Sequence, residues 1–337
     1  MNKKNICIPI LVLFIAAGIL SNTPVMTRAG TTKSVPPTSP NTEGSAHKTD
    51  FPATNIMATI KASSALTNHA YLALVAYTPA GTQGQLIIAD HSVLAQFTQI
   101  PQNAIDTAAS QKTLFMHQST GGYIADSGLG CLAGLHGNET GYPQECTTYA
   151  GNRSAGRWPW YDKSNWDWDY WPTPTSDALV KVDEFVNIVQ ARAGNYQVMG
   201  MKYCYIDGWN QGTNVAQSHY IDKMLEMEQQ YPGKTFIWAT SALWENTGGG
   251  ACNGCKEIAE FNQQVRAYAK AHNKPLFDIA DIESHDRNGN TCVVSGYEGM
   301  CADWYLNDGG HPNVEGSIRL AKGFWWLMAR INGWNGQ

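Results

Sequence analysis

From residue 113 to the C-terminus, short unbroken apolar runs alternate with longer stretches in which apolar residues recur every three or four positions. "TLFMH" (113–117) reads as a short buried strand. "SDALVKVDEFVNIVQARAG" (176–194) places Leu179, Val182, Phe185, Val186 and Val189 on one helical face, with Ser176 as N-cap and Gly194 as the stop. "YQVMGMKYCYID" (196–207) predicts a strand, "SHYIDKMLEMEQQYPG" (218–233) a helix and "TFIWATSAL" (235–243) a strand. "KEIAEFNQQVRAYAKAHNKP" (256–275) predicts an amphipathic helix, "LFDIADI" (276–282) a strand, and residues 313–333 the last helix. Strand and helix in repeated alternation predict an α/β fold: three layers, α/β/α, around a doubly wound parallel sheet. Functional sites in such sheets lie beyond the carboxyl ends of the strands. Ser119, Asp207 and Asn210 all follow such ends.

The N-terminal third reads differently. Lys3 and Lys4 precede the apolar run "ICIPILVLFIAAGIL", the pattern of a secretory signal over residues 1–29 with cleavage near Ala29; a retained N-terminal anchor is the alternative. Residues 30–55, rich in Pro, Ser, Thr and Gly, read as a flexible linker. Residues 56–110, with "YLALVAY" and "GQLIIAD", read as a small β-rich segment preceding the main α/β domain at 111–337. At 43% hydrophobic and 15% charged, the 337-residue chain can bury a substantial core. Loss of the leader removes Lys3, Lys4 and Arg28 but no acid, taking the net charge from −5 to −8. With no basic run anywhere, this balance argues against a nucleic-acid partner. Outside the leader, cysteines pair by proximity as Cys131–Cys146, Cys252–Cys255 and Cys292–Cys301, leaving Cys204 as a buried thiol. For "CNGC" a structural disulfide competes with a redox or metal role.

Two stretches carry candidate chemistry. In "FMHQSTGGYI" (115–124) a strand stops at Ser119, followed by Gly121 and Gly122. In "NDGGHPN" (307–313) Asp308 and His311 stand three apart, with Pro312 near a helix start and Asn313 as a cap. Each alone is explained by a turn. Together they supply a hydroxyl, an imidazole to take its proton, and a carboxylate to fix the imidazole's tautomer. The Ser119 amide then faces a developing oxyanion. His117 reads either as an orienting group behind the serine or as a satisfied buried histidine.

This order, a serine after a strand and Asp-x-x-His before the last helix, resembles the SGNH (GDSL-type) hydrolases over roughly residues 111–332. "GWN" (208–210), after the strand "MKYCYI", resembles that family's Gly-x-Asn block. The resemblance implies a three-layer α/β/α serine hydrolase with Ser119 as nucleophile, His311 as base and Asp308 as its partner. It also implies oxyanion donors at Ser119, Asn210 and, by a weak match in "GNRSAG", Gly156. The sequence departs from the family pattern where "HQS" replaces Gly-Asp-Ser and where Gln211 replaces the Asp that commonly follows the Asn block.

"RWPWYDKSNWDWDYWPTP" (157–174) is dense in aromatic residues and carries Asp167 and Asp169. Either it stacks on sugar rings, with Trp166 and Trp168 joined by Trp209 and Trp244, or it is a packed loop covering the sheet. The first alternative points to a carbohydrate ester, such as an acetylated polysaccharide. "DRNGN" (286–290) reads as a turn rather than a calcium loop, for want of a glutamate at the twelfth position. The sequence thus predicts a secreted or periplasmic monomeric serine esterase that needs no metal or cofactor and has no lasting membrane association. A non-catalytic glycan-binding protein on the same scaffold, an esterase or lipase of non-carbohydrate esters, and a Cys252/Cys255 redox protein are its rivals.

Overall fold

The computed structural model describes residues 86–337 apart from 138, 208–212, 246–251 and 253; the predicted leader, linker and most of the 56–110 segment lie outside the described residues. The chain enters a parallel sheet at β1 (Ile88–Ala89), then forms a 3-10 helix (His91–Gln99) and α1 (Gln102–Ser110). β2 (Thr113–His117) leads into one helical run: α2 (Thr120–Tyr123), a π-helical turn (Ile124–Leu129) and α3 (Gly130–Leu132). After α4 (Gln144–Ser154) come β3 (Trp166–Tyr170), α5 (Ala178–Arg192), β4 (Val198–Met201), α6 (Thr213–Gln230), β5 (Thr235–Ala239) and α7 (Cys255–Ala271). β6 (Leu276–Phe277) is followed by α8 (Ile279–Ser284), the hairpin of β7 (Val293–Val294) and β8 (Tyr297–Glu298), and α9 (Val314–Ile331). The six strands lie in the order β1-β6-β5-β4-β2-β3, all parallel, which is the α/β architecture read from the alternation.

Period-two alternation divides the core. Phe115, Ile237 and Phe277 face one side with α9, α1, the 3-10 helix and the π turn. Leu114, Met116, Met199, Met201, Phe236, Trp238 and Leu276 face the other with α5, α6 and α7. Burial on both faces is what makes these strands continuous apolar runs. The disulfides Cys131–Cys146, Cys252–Cys255 and Cys292–Cys301 are all formed, and Cys204 is free and buried. Among the described residues no helix is long and apolar enough to cross a membrane.

The structure corrects five local expectations. Residues 91–110 are helical: Asp90 caps the 3-10 helix by accepting from the Ser92 amide, and Val93, Phe97, Ala104, Ile105 and Ala108 are buried at helical spacing. β1 belongs to the main sheet through its pairing with β6. "LFDIADI" is a strand for two residues only, because the Asp278 carboxylate accepts the Asp281 amide and starts α8. The cap of α5 is Asp177, which accepts from the amides of Leu179 (2.9 Å) and Val180 (3.2 Å), rather than Ser176. The fifth correction is β3, treated with the site below.

α9 lies against the π turn so closely that a Cβ on Gly128 would fall 2.2 Å from the Ser317 carbonyl oxygen. Gly128→Ala is therefore expected to force the two apart and cost roughly 1–3 kcal/mol, the range for overpacking a tight core. Equilibrium denaturation with urea, read as a fall in midpoint at unchanged slope, checks this.

Candidate active site

β2 ends on a buried His117, and two residues later Ser119 adopts φ +56°, ψ −113°, a conformation that L-residues with side chains rarely hold. That sharp turn stops the strand, starts α2 and leaves the serine half-buried at the carboxyl edge of the sheet. Such a turn lifts a hydroxyl clear of the sheet. The two glycines behind it are required by close neighbours. A Cβ on Gly121 would sit 2.4 Å from the His117 side chain, and one on Gly122 would sit 2.0 Å from the Tyr170 hydroxyl.

The partner groups arrive from the far end of the chain on a hairpin-like loop. Tyr305 bridges Pro312, and the Leu306 amide donates to the His311 carbonyl at 2.9 Å. Asn313 closes the loop by capping α9 through its side-chain oxygen and the Gly316 amide, at 2.8 Å. Gly309 takes φ +113° beside the Trp244 ring. At Gly310, a Cβ would lie 2.5 Å from the Tyr205 ring, so only glycine lets the loop settle on that tyrosine.

This loop brings Nε2 of His311 into hydrogen bonding with Oγ of Ser119, and Nδ1 of His311 to 2.8 Å from Oδ2 of Asp308. An ionised carboxylate can only accept, so the Nδ1 proton points at Asp308 and Nε2 is left to accept from the hydroxyl. Asp308 also accepts the His311 amide at 3.1 Å. Burial pushes the Asp308 carboxyl up, but the hydrogen bonds from the His311 ring and amide, with the ring's charge, more than reverse this and hold it below the usual carboxylate range.

Thr120, which the sequence reading passed over, ties the two halves together. It is fully buried, and its hydroxyl donates to the Gly310 carbonyl at 3.3 Å, joining the serine turn to the histidine loop. Aromatic rings surround the imidazole: Tyr123 at 5.0 Å and Tyr205 at 5.7 Å between ring centroids, with Trp244 packed edge-on to Tyr205 at 4.7 Å. Burial, then the charges of Cys204, Asp308 and Glu245, push the Tyr205 phenol up to about 12. Glu245 lies almost wholly buried against the same loop; burial, then the Asp308 charge, push its carboxyl above the ordinary value.

The remaining expected site residues fare differently. The Gly156 amide donates to the Arg153 carbonyl at 3.1 Å at the exposed end of α4, so it is committed to ending a helix rather than to an oxyanion. Trp209 and Asn210 lie outside the described residues. Asp207 serves structure: its Oδ2 accepts from Lys181 Nζ at 2.6 Å and from the Cys204 amide at 2.7 Å. Trp166 and Trp168 stand on the strand β3, paired in parallel with β2, and face the core. Trp166 packs at a tilt on Trp325, 4.1 Å between ring centroids, and Trp168 packs on Phe115 and Phe324. On the opposite side of β3, Asp169 pairs with Arg192 at 2.6 Å and Asp167 accepts from the Tyr196 hydroxyl. Both readings of this stretch as a loop are replaced by an edge strand, and Trp166 and Trp168 are packing residues. Trp244 is the tryptophan of the expected set that the described residues bring to the imidazole's surroundings.

No family model matches the sequence, and no curated protein matches it. Solved structures to which the chain is similar include a protein assigned as a lipolytic member of the G-D-S-L family from Desulfitobacterium hafniense, at 11% identity and TM-score 0.38, covering 64% of this chain and 99% of that one. Others are a protein assigned as an acylhydrolase from Bacteroides fragilis (13%, TM-score 0.40, 71% and 95%) and a mutant of an acetyl-xylooligosaccharide esterase from Geobacillus (16%, TM-score 0.36, 67% and 95%). At this degree of overlap the functional reading rests on the site's own geometry.

His117 gives the site a pH signature. It is buried between Trp168 and Tyr170, and neither ring nitrogen makes a well-formed hydrogen bond. Burial, with the nearby Lys202 charge adding to it, lowers its pKa to about 3, against a weaker opposing influence from the Trp168 backbone. The folded value lies below the unfolded one, near 6.5, so between them the unfolded chain binds the extra proton and stability falls as pH falls. At pH 4 the loss attributable to this residue is on the order of 3 kcal/mol. His117→Phe, which keeps a ring beside Gly121, is expected to flatten the decline in denaturation free energy between pH 7 and pH 4 relative to wild type.

Proposed function

We propose that the protein is a serine esterase, with Ser119 as nucleophile, His311 as general base and Asp308 as the group that orients the imidazole and stabilises its charged form. The observation that carries this reading is the unbroken chain of hydrogen bonds from the Ser119 hydroxyl through both nitrogens of His311 to Asp308. The strained Ser119 backbone supports it, since such strain persists where the surrounding structure imposes it and is concentrated at working sites.

In this mechanism Ser119 Oγ attacks the ester carbonyl carbon while Nε2 of His311 takes its proton. The tetrahedral intermediate collapses, His311 returns the proton to the leaving alcohol, and the acyl group remains on Ser119. A water then gives its proton to His311 and attacks the acyl carbonyl, releasing the carboxylic acid and restoring the hydroxyl. The Gly121 and Gly122 amides donate to Gln118 and Ser119 carbonyls, at 3.1 and 2.7 Å. The amides of Ser119 and Thr120, at the head of α2, then remain to face the oxyanion. Asn210 is proposed as a further donor, on the resemblance of "GWN" to the Gly-x-Asn block.

For the substrate we propose a carbohydrate ester, an acetyl group on a sugar or polysaccharide. Support comes from Tyr123 and Trp244, half-buried beside the histidine loop with Tyr205 packed beneath, whose flat faces suit a sugar ring. The tryptophans at 166 and 168, being core, no longer contribute to that argument. An exported, oxidising location is proposed from the leader pattern and the three disulfides. A glycan-binding protein without catalysis would need the aromatic rim and not the relay.

Ser119→Ala is expected to lower turnover of a chromogenic acetyl ester by on the order of 10⁶ while leaving polysaccharide binding intact. Equal, negligible turnover by wild type and variant contradicts the esterase reading and favours the binder. Thr120→Val removes the hydroxyl bridge to Gly310 and leaves that buried carbonyl unpaired, at about 1–3 kcal/mol. It is expected to lower kcat about tenfold with little change in KM, measured by steady-state kinetics on the same ester.

A further inference from the structure

Away from the serine, at the carboxyl edge of the sheet's opposite end, two imidazoles and a carboxylate converge. His91 opens the 3-10 helix just past β1; Asp281 and His285 stand four apart on and just after α8, just past β6. The i, i+4 spacing puts Asp281 and His285 on one helix face, and the β1–β6 pairing brings His91 against it. Four strand intervals separate β1 from β2 in the sheet order, so the cluster sits roughly 20 Å from Ser119.

Nδ1 of His91 lies 2.5 Å from Asp281 Oδ1, and Nδ1 of His285 lies 3.7 Å from the same oxygen. One ligand atom from each of the three residues falls within 4.8 Å of the others. The rings stack 3.4 Å apart at 13°, turning both Nδ1 atoms toward the carboxylate. Donors around a tetrahedral ion at 2.0–2.2 Å are about 3.3–3.5 Å apart, so the observed separations bracket what an ion requires, and a small opening of the two rings accommodates it. The cluster is half-buried, with side-chain exposures of 31% for His91, 20% for Asp281 and 12% for His285, which keeps it open to an entering ion. The far nitrogen of His285 meets the Thr291 hydroxyl at 3.3 Å, the kind of partner that fixes a ligating ring. The nearby cation, Arg319, is turned to the Ile282 carbonyl and the Trp304 face and forms no ion pair with Asp281.

We propose that His91, Asp281 and His285 form a binding site for a divalent transition-metal ion of the zinc class. Two imidazole nitrogens and one carboxylate oxygen select such an ion over calcium or magnesium, which take oxygen ligands. Three protein ligands leave the fourth position to water. On binding, the Nδ1 protons that now point at the Asp281 carboxylate and, from His285, at the Asp281 carbonyl (2.8 Å) leave to solvent. The bound ion pins β1, an edge strand of two residues, and the first helical turn after it to α8.

The test uses the full chain with cobalt(II) as probe. One cobalt per chain is expected, with the visible absorption of a tetrahedral nitrogen–oxygen site, displaced by zinc. Zinc should raise the thermal midpoint relative to the same protein in EDTA. His91→Gln keeps a donor for Asp281 but offers no imidazole, and His285→Ala removes the second nitrogen. Each is expected to weaken binding by more than the roughly 10–100-fold that losing a supporting partner costs, and to abolish the zinc-dependent midpoint shift. Ester turnover in His91→Gln should be unchanged. Absence of the cobalt spectrum in wild type, or its persistence in both variants, overturns the proposal.

Discussion

One hydrogen bond, from the Ser119 hydroxyl to the imidazole of His311, joins positions 192 apart in the chain, and the site depends on it. Forming it needs two things at once. β2 must end in a backbone conformation that throws the serine out of the sheet, and the loop before α9 must return to the same edge. Neither is stable by itself. The unfavourable φ at Ser119 is held because β2 is buried on both faces and α2 begins at once, with Thr120 fastened to Gly310. The loop is held because its two ends bridge each other and Asn313 anchors it to a helix buried over most of its length.

Beneath this edge lies a layer of buried charge. Lys181 pairs with Asp207, which also takes the Cys204 amide, and Lys202 lies 3.6 Å from the Cys204 sulfur. Burial pushes Lys202 down and Glu283, whose carboxylate accepts the Leu243 amide at 2.7 Å, up to about 8, so both are driven toward their neutral forms. Such groups cost free energy to desolvate, and what they return is geometry: removing one partner strands another. Here they fix the chain leaving β4 and β5, the stretch that carries Tyr205 and Trp244 to the imidazole.

Much of this was legible in the sequence, for identifiable reasons. Strands buried on both faces announce themselves as apolar runs, and α5, α7 and α9 carry apolar faces at helical spacing, so the layered α/β order could be read directly. Ser119, Asp308 and His311 were legible as turn-borne residues at strand and helix ends. β3 was missed although its period-two pattern was present in "WDWDY": the density of tryptophan drew attention to surface stacking, whereas the alternation sends Trp166 and Trp168 inward and Asp167 and Asp169 outward. α8 was missed because "IADI" extends an apolar run, and only the Asp278 cap separates strand from helix. Thr120, Tyr123, Tyr205 and Glu245 carry no motif; their roles come from what the fold sets beside His311. The His91–Asp281–His285 cluster was invisible for a similar reason, since its first member is 190 residues from its second.

The central claim is that the hydroxyl at 119 is activated by the imidazole at 311. The most direct measurement is labelling of the purified protein with a fluorophosphonate, which reacts with activated serine hydroxyls and spares ordinary ones, followed by peptide mass spectrometry. The account predicts a single adduct on the peptide containing Ser119, lost in His311→Ala while that variant remains folded. Absence of an adduct on wild type, or equal labelling of wild type and His311→Ala, contradicts it.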